Sequence, residues 1–242
     1  MELAEQNVLL SKGERMYPLL SQEDVVSAVE NGATEALVHL FKCPASVAWT
    51  PEGLVMQLFK TNRMVLVDIA SLSKSTKRHL FWCIEKEMMR LNTLAEYEQY
   101  RMYRGTIVYG EVSSVRKSGS LNIWLNLDRG GLTAEQRMAH YSFKHQPIKE
   151  RWKYSVGEFL SFYVSSVVPI TGEGGSSHVR INLSRTALEM PKVMLENLQN
   201  VNIEIISRIP GWKTVLRTDK KIEKKHVIAV SRELKESLSF LR

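Results

Sequence analysis

The stretch from residue 105 to residue 186 constrains the fold of this chain more than any other. It opens with Gly105 to Val112, where apolar residues alternate between two glycines, and further short apolar stretches follow, separated by Gly-rich or polar turns. This pattern is typical of short strands joined by tight turns. The number of stretches predicts a small five-stranded β-barrel of the OB type, a fold that commonly binds single-stranded nucleic acid.

Alternation within the predicted strands separates core positions from outward ones. In residues 121–127 the odd positions are all apolar, and in residues 159–164 the even positions are. Outward aromatic side chains can stack on bases and contribute about 1–3 kcal/mol per base. Packing against a neighbouring domain or helix is the alternative for each of them. The outward candidates for RNA contact are Tyr109, Asn122, Trp124, Phe159 and Tyr163.

Basic residues accompany these aromatic positions. Arg116 and Lys117 occupy the predicted turn beside the first strand, where they would meet phosphates. Residues 137–146 mix aromatic and basic side chains, as expected of an RNA-facing loop. Tyr141, Phe143 and Lys144 are the candidates from that loop. The two histidines in it are five residues apart with no Cys or carboxylate partner close by, so the sequence predicts no metal site.

The first hundred residues predict a different kind of domain. Ser21 begins a helix with a capping-box pattern, and an apolar stripe then continues to Pro44. Three strands are expected at 46–50, 54–60 and 64–69. A long helix is expected over 77–102, with apolar residues on its inner side: Leu80, Ile84, Met88, Leu91, Leu94 and Tyr97.

Past the barrel, the pattern predicts helix, strand, strand, helix. The helices are expected at 191–199 and 226–237, and the strands at 202–209 and 213–218. A lysine run before the last helix could neutralise phosphates, or it could be a solvated turn. The lysines of this run are Lys220, Lys221, Lys224 and Lys225.

The charge distribution separates the two halves of the chain. The net charge is +7, yet residues 1–100 carry −3, residues 101–186 carry +6 and residues 201–242 carry +5. Positive charge on the barrel and the C-terminal part suits a phosphate backbone, whereas the acidic first part requires another role. A basic protein with solvated lysines is the alternative explanation.

The chain lacks the usual sequence signals of several other classes of protein. No apolar run approaches the roughly 20 residues that cross a bilayer, and the N-terminus does not resemble a targeting peptide, so a cytoplasmic protein is expected. Cys43 and Cys83 are forty positions apart and predict buried thiols. Phosphate-binding, dinucleotide-binding and nucleophile motifs are lacking, so neither catalysis nor a cofactor is predicted.

Three stretches carry a resemblance to a known family. The charged helix ending in Tyr100 to Gly105, the barrel exit Leu183 to Thr186 (Leu-Ser-Arg-Thr), and Ile203 to Gly211 are similar to the corresponding parts of NusA transcription factors. The resemblance implies an S1 domain followed by a KH-like αββα domain, and it adds Arg185 to the candidate RNA contacts. The implied domains are 1–76 (polymerase-binding α/β), 77–103 (connector helix), 104–186 (S1 barrel) and 187–242 (degenerate KH).

One departure from the family pattern affects the expected RNA contact. A working KH domain grips the nucleic-acid backbone with a Gly-x-x-Gly loop between two helices. Residues 219–225 occupy that place with no glycine, and the first of the two helices is not predicted. Gly172 to Gly175 fits the motif literally but lies between two barrel strands, where a hairpin loop is expected.

The resemblance implies a function without catalysis. The first 100 residues would bind RNA polymerase near its RNA exit channel, and the barrel would hold single-stranded nascent RNA to modulate elongation, pausing, termination or antitermination. The alternative is a free-standing S1-domain RNA-binding protein acting on mRNA or the ribosome. An RNA-processing enzyme with an S1 module is the weakest alternative.

Overall fold

The structure is a computed structural model that describes residues 16–51, 53–129, 132–172 and 176–241. It is a mixed α/β protein with two compact units. One unit comprises Met1–Gln99 with Pro169–Val179, and the other comprises Tyr100–Val168 with Arg180–Arg242. The predicted boundaries at residues 76, 103 and 186 stay predictions. Within the described residues, no helix is both long and apolar enough to cross a membrane.

The first unit begins with a capped helix and a small sheet. The Ser21 hydroxyl accepts from the Asp24 amide at 3.1 Å, and the Asp24 carboxylate accepts from the Ser21 amide at 2.9 Å, which confirms the predicted capping box. The sheet is antiparallel in the order β1-β2-β3. The elements are helix α1 (Gln22–Phe41) and strands β1 (Ala45–Thr50), β2 (Gly53–Lys60) and β3 (Arg63–Val67).

Helix α2 (Lys74–Tyr100) supplies the other side of this core. The predicted inward residues Leu80, Ile84 and Met88 are buried in one cluster with the apolar stripe of α1. Leu94 was predicted to point inward as well, and that prediction is wrong because its side chain is exposed. The packed cluster extends along α2 to Leu91, and Leu94 lies beyond it.

Five strands close into a barrel in the order β4-β5-β6-β8-β7. This topology is compatible with the predicted OB-type barrel. The alternation prediction is confirmed, because the inward residues of 121–127 and of 159–164 are all buried. The strands are β4 (Ile107–Val115), β5 (Leu121–Arg129), β6 (Leu132–Tyr141), β7 (Phe159–Thr171) and β8 (Ser177–Ser184).

Strand β6 includes residues that the sequence assigned to a loop. Residues 137–141 are paired with β5, with Met138 opposite Trp124 and His140 opposite Asn122. Ala139 and Tyr141 point into the core, so these residues alternate as a strand does. The loop prediction was wrong because it relied on the many basic and aromatic residues here. The alternation of inward and outward residues, which indicates a strand, was overlooked.

The C-terminal segment, residues 187–241, forms a helix, two antiparallel strands, a helix and a third strand. The predicted helix over 226–237 ends instead at Leu234, and Lys235 adopts the left-handed conformation with φ 55°. The next strand runs parallel to the middle strand, which gives the order β11-β10-β9. The elements are α3 (Met190–Leu198), β9 (Ile203–Ile209), β10 (Lys213–Thr218), α4 (Lys224–Leu234) and β11 (Ser237–Leu241).

Candidate nucleic-acid interface

The strand register places outward side chains in one row across four strands of the barrel. Glu111 on β4 lies opposite both Trp124 on β5 and Phe159 on β7. Trp124 lies opposite Met138 on β6. Neighbouring strands are about 4.8 Å apart, so the row spans roughly 14 Å. Tyr109 lies two residues before Glu111 and therefore on the same side of β4.

These five residues form a surface that we call the exposed face. Tyr109 is 70% exposed, Phe159 67%, Met138 43% and Trp124 36%. Flat aromatic surfaces presented by adjacent strands suit stacked bases, since every base offers a π-face. The carboxylate of Glu111 in the middle of the row repels phosphates, so the face suits bases better than it suits the backbone.

A polar and basic margin adjoins the exposed face along β5 and β6. The Asn122 amide donates to the Ser114 hydroxyl at 3.0 Å. Burial lowers the pKa of His140, and the positive charges of Arg116, Arg180 and His145 lower it further. Arg116, Arg180 and His145 are therefore near His140, which lies opposite Asn122. Lys117 and Lys144 are exposed near this margin, in the turn after β4 and just after β6.

Tyr163 does not belong to the exposed face. It points outward from β7 as predicted, but with Ile107 it packs against the apolar cluster of the C-terminal segment. That cluster includes residues from both α3 and α4. The prediction that Tyr163 is available to RNA is therefore corrected, because the neighbouring segment covers this end of the strand pair.

Arg185 is buried rather than presented to a ligand. Its side chain is 1% exposed, and its guanidinium donates to the Glu150 carboxylate at 3.1 Å and to the Glu233 carboxylate at 2.9 Å. It also donates to the carbonyls of Ser161 and Glu233. Burial lowers the pKa of Arg185, but the negative charge of Glu150 raises it by more. The net pKa is raised, so the guanidinium stays charged. The predicted RNA contact of Arg185 is corrected to a structural one.

The bonds of Arg185 connect the barrel to the C-terminal segment. Ser161 lies on β7 and Glu150 in the connection between β6 and β7, whereas Glu233 lies near the end of α4. The Ser161 amide also donates to the Glu233 carboxylate at 2.9 Å. The buried Arg185 guanidinium therefore binds groups from both parts, and these bonds favour one orientation at the junction between them.

A second buried ion pair lies beside the first. The Arg208 guanidinium donates to the Glu236 carboxylate at 2.7 Å, and both side chains are buried. Arg208 also donates to the Arg185 carbonyl, while Glu236 accepts from the Gly211 amide and the Thr214 hydroxyl. This pair holds the turn between β9 and β10 close to the barrel exit.

Tyr141 is likewise buried. It lies in the barrel core, where its hydroxyl is 3.1 Å from the Tyr154 hydroxyl and its ring packs edge-on against Phe162. Burial raises the pKa of both tyrosines. The prediction of an RNA-facing Tyr141 is corrected, because the residue occupies an inward position of β6.

The four lysines of the C-terminal run are all exposed. Lys220 and Lys221 precede α4, and Lys224 and Lys225 begin it, with the Lys225 ammonium 2.7 Å from Glu223. The end of α4 contacts the barrel, and the helix is 11 residues long, or about 16 Å. The lysines therefore lie about one helix length from that contact, and their role in binding RNA stays a prediction.

Residues outside the predicted set also belong to this region. Met138 and His140 occupy outward positions of β6, and the alternation of that strand was the signal that could have found them. Trp152 and Trp212 are also exposed, but they lie in turns, where no alternation of apolar residues indicates their orientation. Among the described residues, no group of His, Cys, Asp or Glu is arranged to hold a metal ion.

Comparison with known proteins adds no assignment to this geometry. No protein-family model matches the chain, and no curated protein matches it at a significant level.

Proposed function

We propose that this protein is a non-catalytic RNA-binding transcription factor that associates with RNA polymerase near the RNA exit. The barrel acts as an S1-type domain for single-stranded nascent RNA, and the C-terminal segment acts as a KH-like domain that lacks the Gly-x-x-Gly clamp. The first hundred residues contact the polymerase. The assembly modulates elongation, pausing, termination or antitermination.

The exposed face is the observation that carries the RNA-binding part of the proposal. Three aromatic side chains and a methionine are presented to solvent by four adjacent strands, with a basic margin on one side. Their exposure offers stacking surfaces for bases, and the adjacent cations suit phosphates. Stacking on these rings tolerates any base, which suits a factor that contacts transcripts of changing sequence.

A different surface supports the polymerase contact. On the outer side of the first sheet, Phe59 lies opposite Met64, and both side chains are exposed together with Leu66. Clustered apolar side chains on a solvent-facing sheet are typical of protein-binding surfaces. The negative charge of residues 1–100 also makes this part a poor ligand for RNA.

Binding of an unstructured RNA oligonucleotide tests the first part. The triple variant Tyr109→Ala, Trp124→Ala, Phe159→Ala should bind at least tenfold more weakly at fixed salt, because each aromatic ring that stacks on a base contributes about 1–3 kcal/mol. The variant Phe81→Ala, at an exposed position of the first unit, is a matched control that should leave affinity unchanged. Equal affinity of the triple variant and the wild type would reject the exposed face.

Retention of purified RNA polymerase by the 242-residue chain tests the second part. The double variant Met64→Glu, Leu66→Glu should abolish retention by placing charges on the apolar surface. Ile148→Glu, at an exposed apolar position of the barrel unit, is the control and should retain polymerase. Retention by the double variant, or no retention by the wild type, would favour a free-standing RNA-binding protein.

A further inference from the structure

We propose a second contact for the same RNA strand, the tryptophan ledge, formed by Phe143, Lys149, Arg151, Trp152 and Trp212. The inference rests on the proposed function, because it assigns unpaired RNA nucleotides as the ligand. The ledge lies at the turns beyond the ends of the barrel strands rather than on the exposed face. It therefore extends the RNA contact from the barrel toward the C-terminal segment.

The first half of the ledge is a pair of aromatic rings in tilted contact, with a cation beside them. The ring centroids of Phe143 and Trp152 are 5.0 Å apart, and the Arg151 guanidinium carbon lies 4.6 Å from the Phe143 centroid. Gly119 lies beneath the pair with φ 77°, and a Cβ there would be 2.5 Å from the Phe143 ring. Any other residue at position 119 would displace the pair.

The second half is Trp212, in the turn between β9 and β10. The Lys149 ammonium lies 5.1 Å from its ring centroid. A Cβ at Gly211 would be 3.2 Å from Pro147, so this turn touches the start of the segment that carries Arg151 and Trp152. Residues 147–153 therefore contribute to both halves and connect them.

Both tryptophans stay exposed in spite of these contacts. Trp152 is 66% exposed and Trp212 is 64% exposed. Trp152 also adopts the left-handed conformation, with φ 63°, which costs a bulky residue about 1–2 kcal/mol. The small burial of its indole offers little stabilisation in return. Strain of this kind is characteristic of residues held in place for a ligand.

The charge around the ledge favours an anionic ligand. Residues 143–153 include Lys144, Lys149, Arg151 and Lys153 but a single acidic residue, Glu150. That carboxylate is buried and bound to Arg185. The Arg151 Nε atom is also buried, and no hydrogen-bond acceptor reaches it among the residues that the structure describes. Cations beside exposed flat rings suit phosphates and unpaired bases together.

Equilibrium binding of a labelled single-stranded RNA oligonucleotide tests the ledge. The double variant Trp152→Ala, Trp212→Ala should weaken binding at fixed salt by roughly 5- to 150-fold for each base that no longer stacks. Trp152→Phe with Trp212→Phe should restore most of the affinity, because an aromatic face remains. Trp82→Ala, an exposed tryptophan of the first unit, is the control and should change nothing.

A salt titration gives a second measurement on the same ledge. Lys149→Gln with Arg151→Gln should lower the slope of log affinity against log salt by about 0.7 for each phosphate that is no longer neutralised. Thermal unfolding of each variant separates disruption of the ledge from disruption of the fold. A slope equal to that of the wild type would overturn the cationic part of the proposal.

The outcomes separate failure of the ledge from failure of the proposed function. If the wild type does not bind RNA, both fail. If the wild type binds and the exposed-face variant weakens binding while the Trp152 and Trp212 double variant does not, the ledge alone is rejected. If that double variant keeps its RNA affinity but no longer retains RNA polymerase, the ledge is a protein-binding surface and the proposal is wrong.

Discussion

Two ends of the same strand pair in this barrel have different environments. On β4 and β7, Glu111 lies opposite Phe159 and Tyr109 lies opposite Ser161, whereas two residues further on Ile107 lies opposite Tyr163. Tyr109 and Phe159 are exposed to solvent. Tyr163 and Ile107 pack beneath the C-terminal segment. All of these positions point outward from the barrel core, so pointing outward does not by itself make a side chain available to a ligand.

Hydrogen bonds to two charged side chains, Arg185 and Glu233, mark the boundary between the two ends. Ser161 lies at the boundary, where its amide binds Glu233 and its carbonyl binds Arg185. These bonds fix the place where the C-terminal segment docks. We therefore assign Arg185 to the covered end, which contains Ile107 and Tyr163, as its main stabilising residue. The exposed end contains Tyr109 and Phe159.

The largest expected effect is the destabilisation of the covered end in Arg185→Ala. Removing the guanidinium leaves Glu150 buried without its main partner, and breaking a buried pair in this way costs about 3–5 kcal/mol. Chemical denaturation of the full chain measures the change in the free energy of unfolding.

The control for this prediction is Arg217→Ala. Arg217 pairs with Glu204 at 2.8 Å, but both side chains are more than half exposed, so the expected decrease in stability is within about 1 kcal/mol. Equal decreases for the two variants would show that the Arg185 network does not hold the junction.

The next effect in size compares two tyrosines of the same strand pair. Tyr163→Ala should destabilise the protein by about 1–2 kcal/mol, because a half-buried ring leaves an apolar cluster. Tyr109→Ala should leave the free energy of unfolding nearly unchanged and weaken RNA binding instead. Denaturation and RNA titration of both variants measure the contrast, and the reverse assignment of effects would refute the comparison.

Protonation of Glu233 at acid pH should lower the free energy of unfolding. Burial raises the pKa of Glu233, but hydrogen bonds from the Ser161 amide and Arg185 outweigh it and hold the pKa below its usual value. The folded state thus binds fewer protons than the unfolded state, so this stabilisation is present above about pH 4.3 and is lost as the pH falls through the lowered pKa.

Comparison of Glu233→Gln with the wild type across pH measures this contribution. The variant should be less stable at neutral pH, and the gap should narrow below about pH 4.3. A gap that stays constant from neutral to acid pH would remove Glu233 from the acid response.

The smallest effect is expected from the lysine run. Replacing Lys220, Lys221, Lys224 and Lys225 by Gln should lower the salt slope of RNA binding by about 0.7 for each lysine that contacts a phosphate. Binding should weaken less than in the exposed-face variant, because all of the stacking surfaces remain. An unchanged slope would identify the run as a solvated turn.

Periodicity in the sequence predicted most of the architecture. Alternation gave the inward faces of β5 and β7, and the apolar stripe with its capping box gave α1, because both depend on local geometry. Strand β11 was missed because a left-handed Lys235 ends the helix where a glycine would usually mark the end.

The candidate site was predicted only in part, because neighbours in space decide it. Trp124 and Tyr109 were predicted correctly as outward residues, since one strand determines that orientation. Arg185 and Tyr163 were misplaced because their burial depends on a segment that docks from elsewhere in the chain. Local composition cannot distinguish an arginine that binds phosphate from one that binds two distant carboxylates.

Crosslinking of RNA to the full chain tests the central claim most directly. A single-stranded RNA carrying 4-thiouridine is irradiated in complex with the protein, and the modified peptides are identified by mass spectrometry. The crosslinked residue within each peptide is located by fragmentation, because Phe159 and Tyr163 are only four residues apart. We expect crosslinks at Tyr109, Trp124 or Phe159, and none at Tyr163 or Arg185. Crosslinks confined to the lysine run, or found at the covered end, would contradict the assignment of RNA to the exposed face.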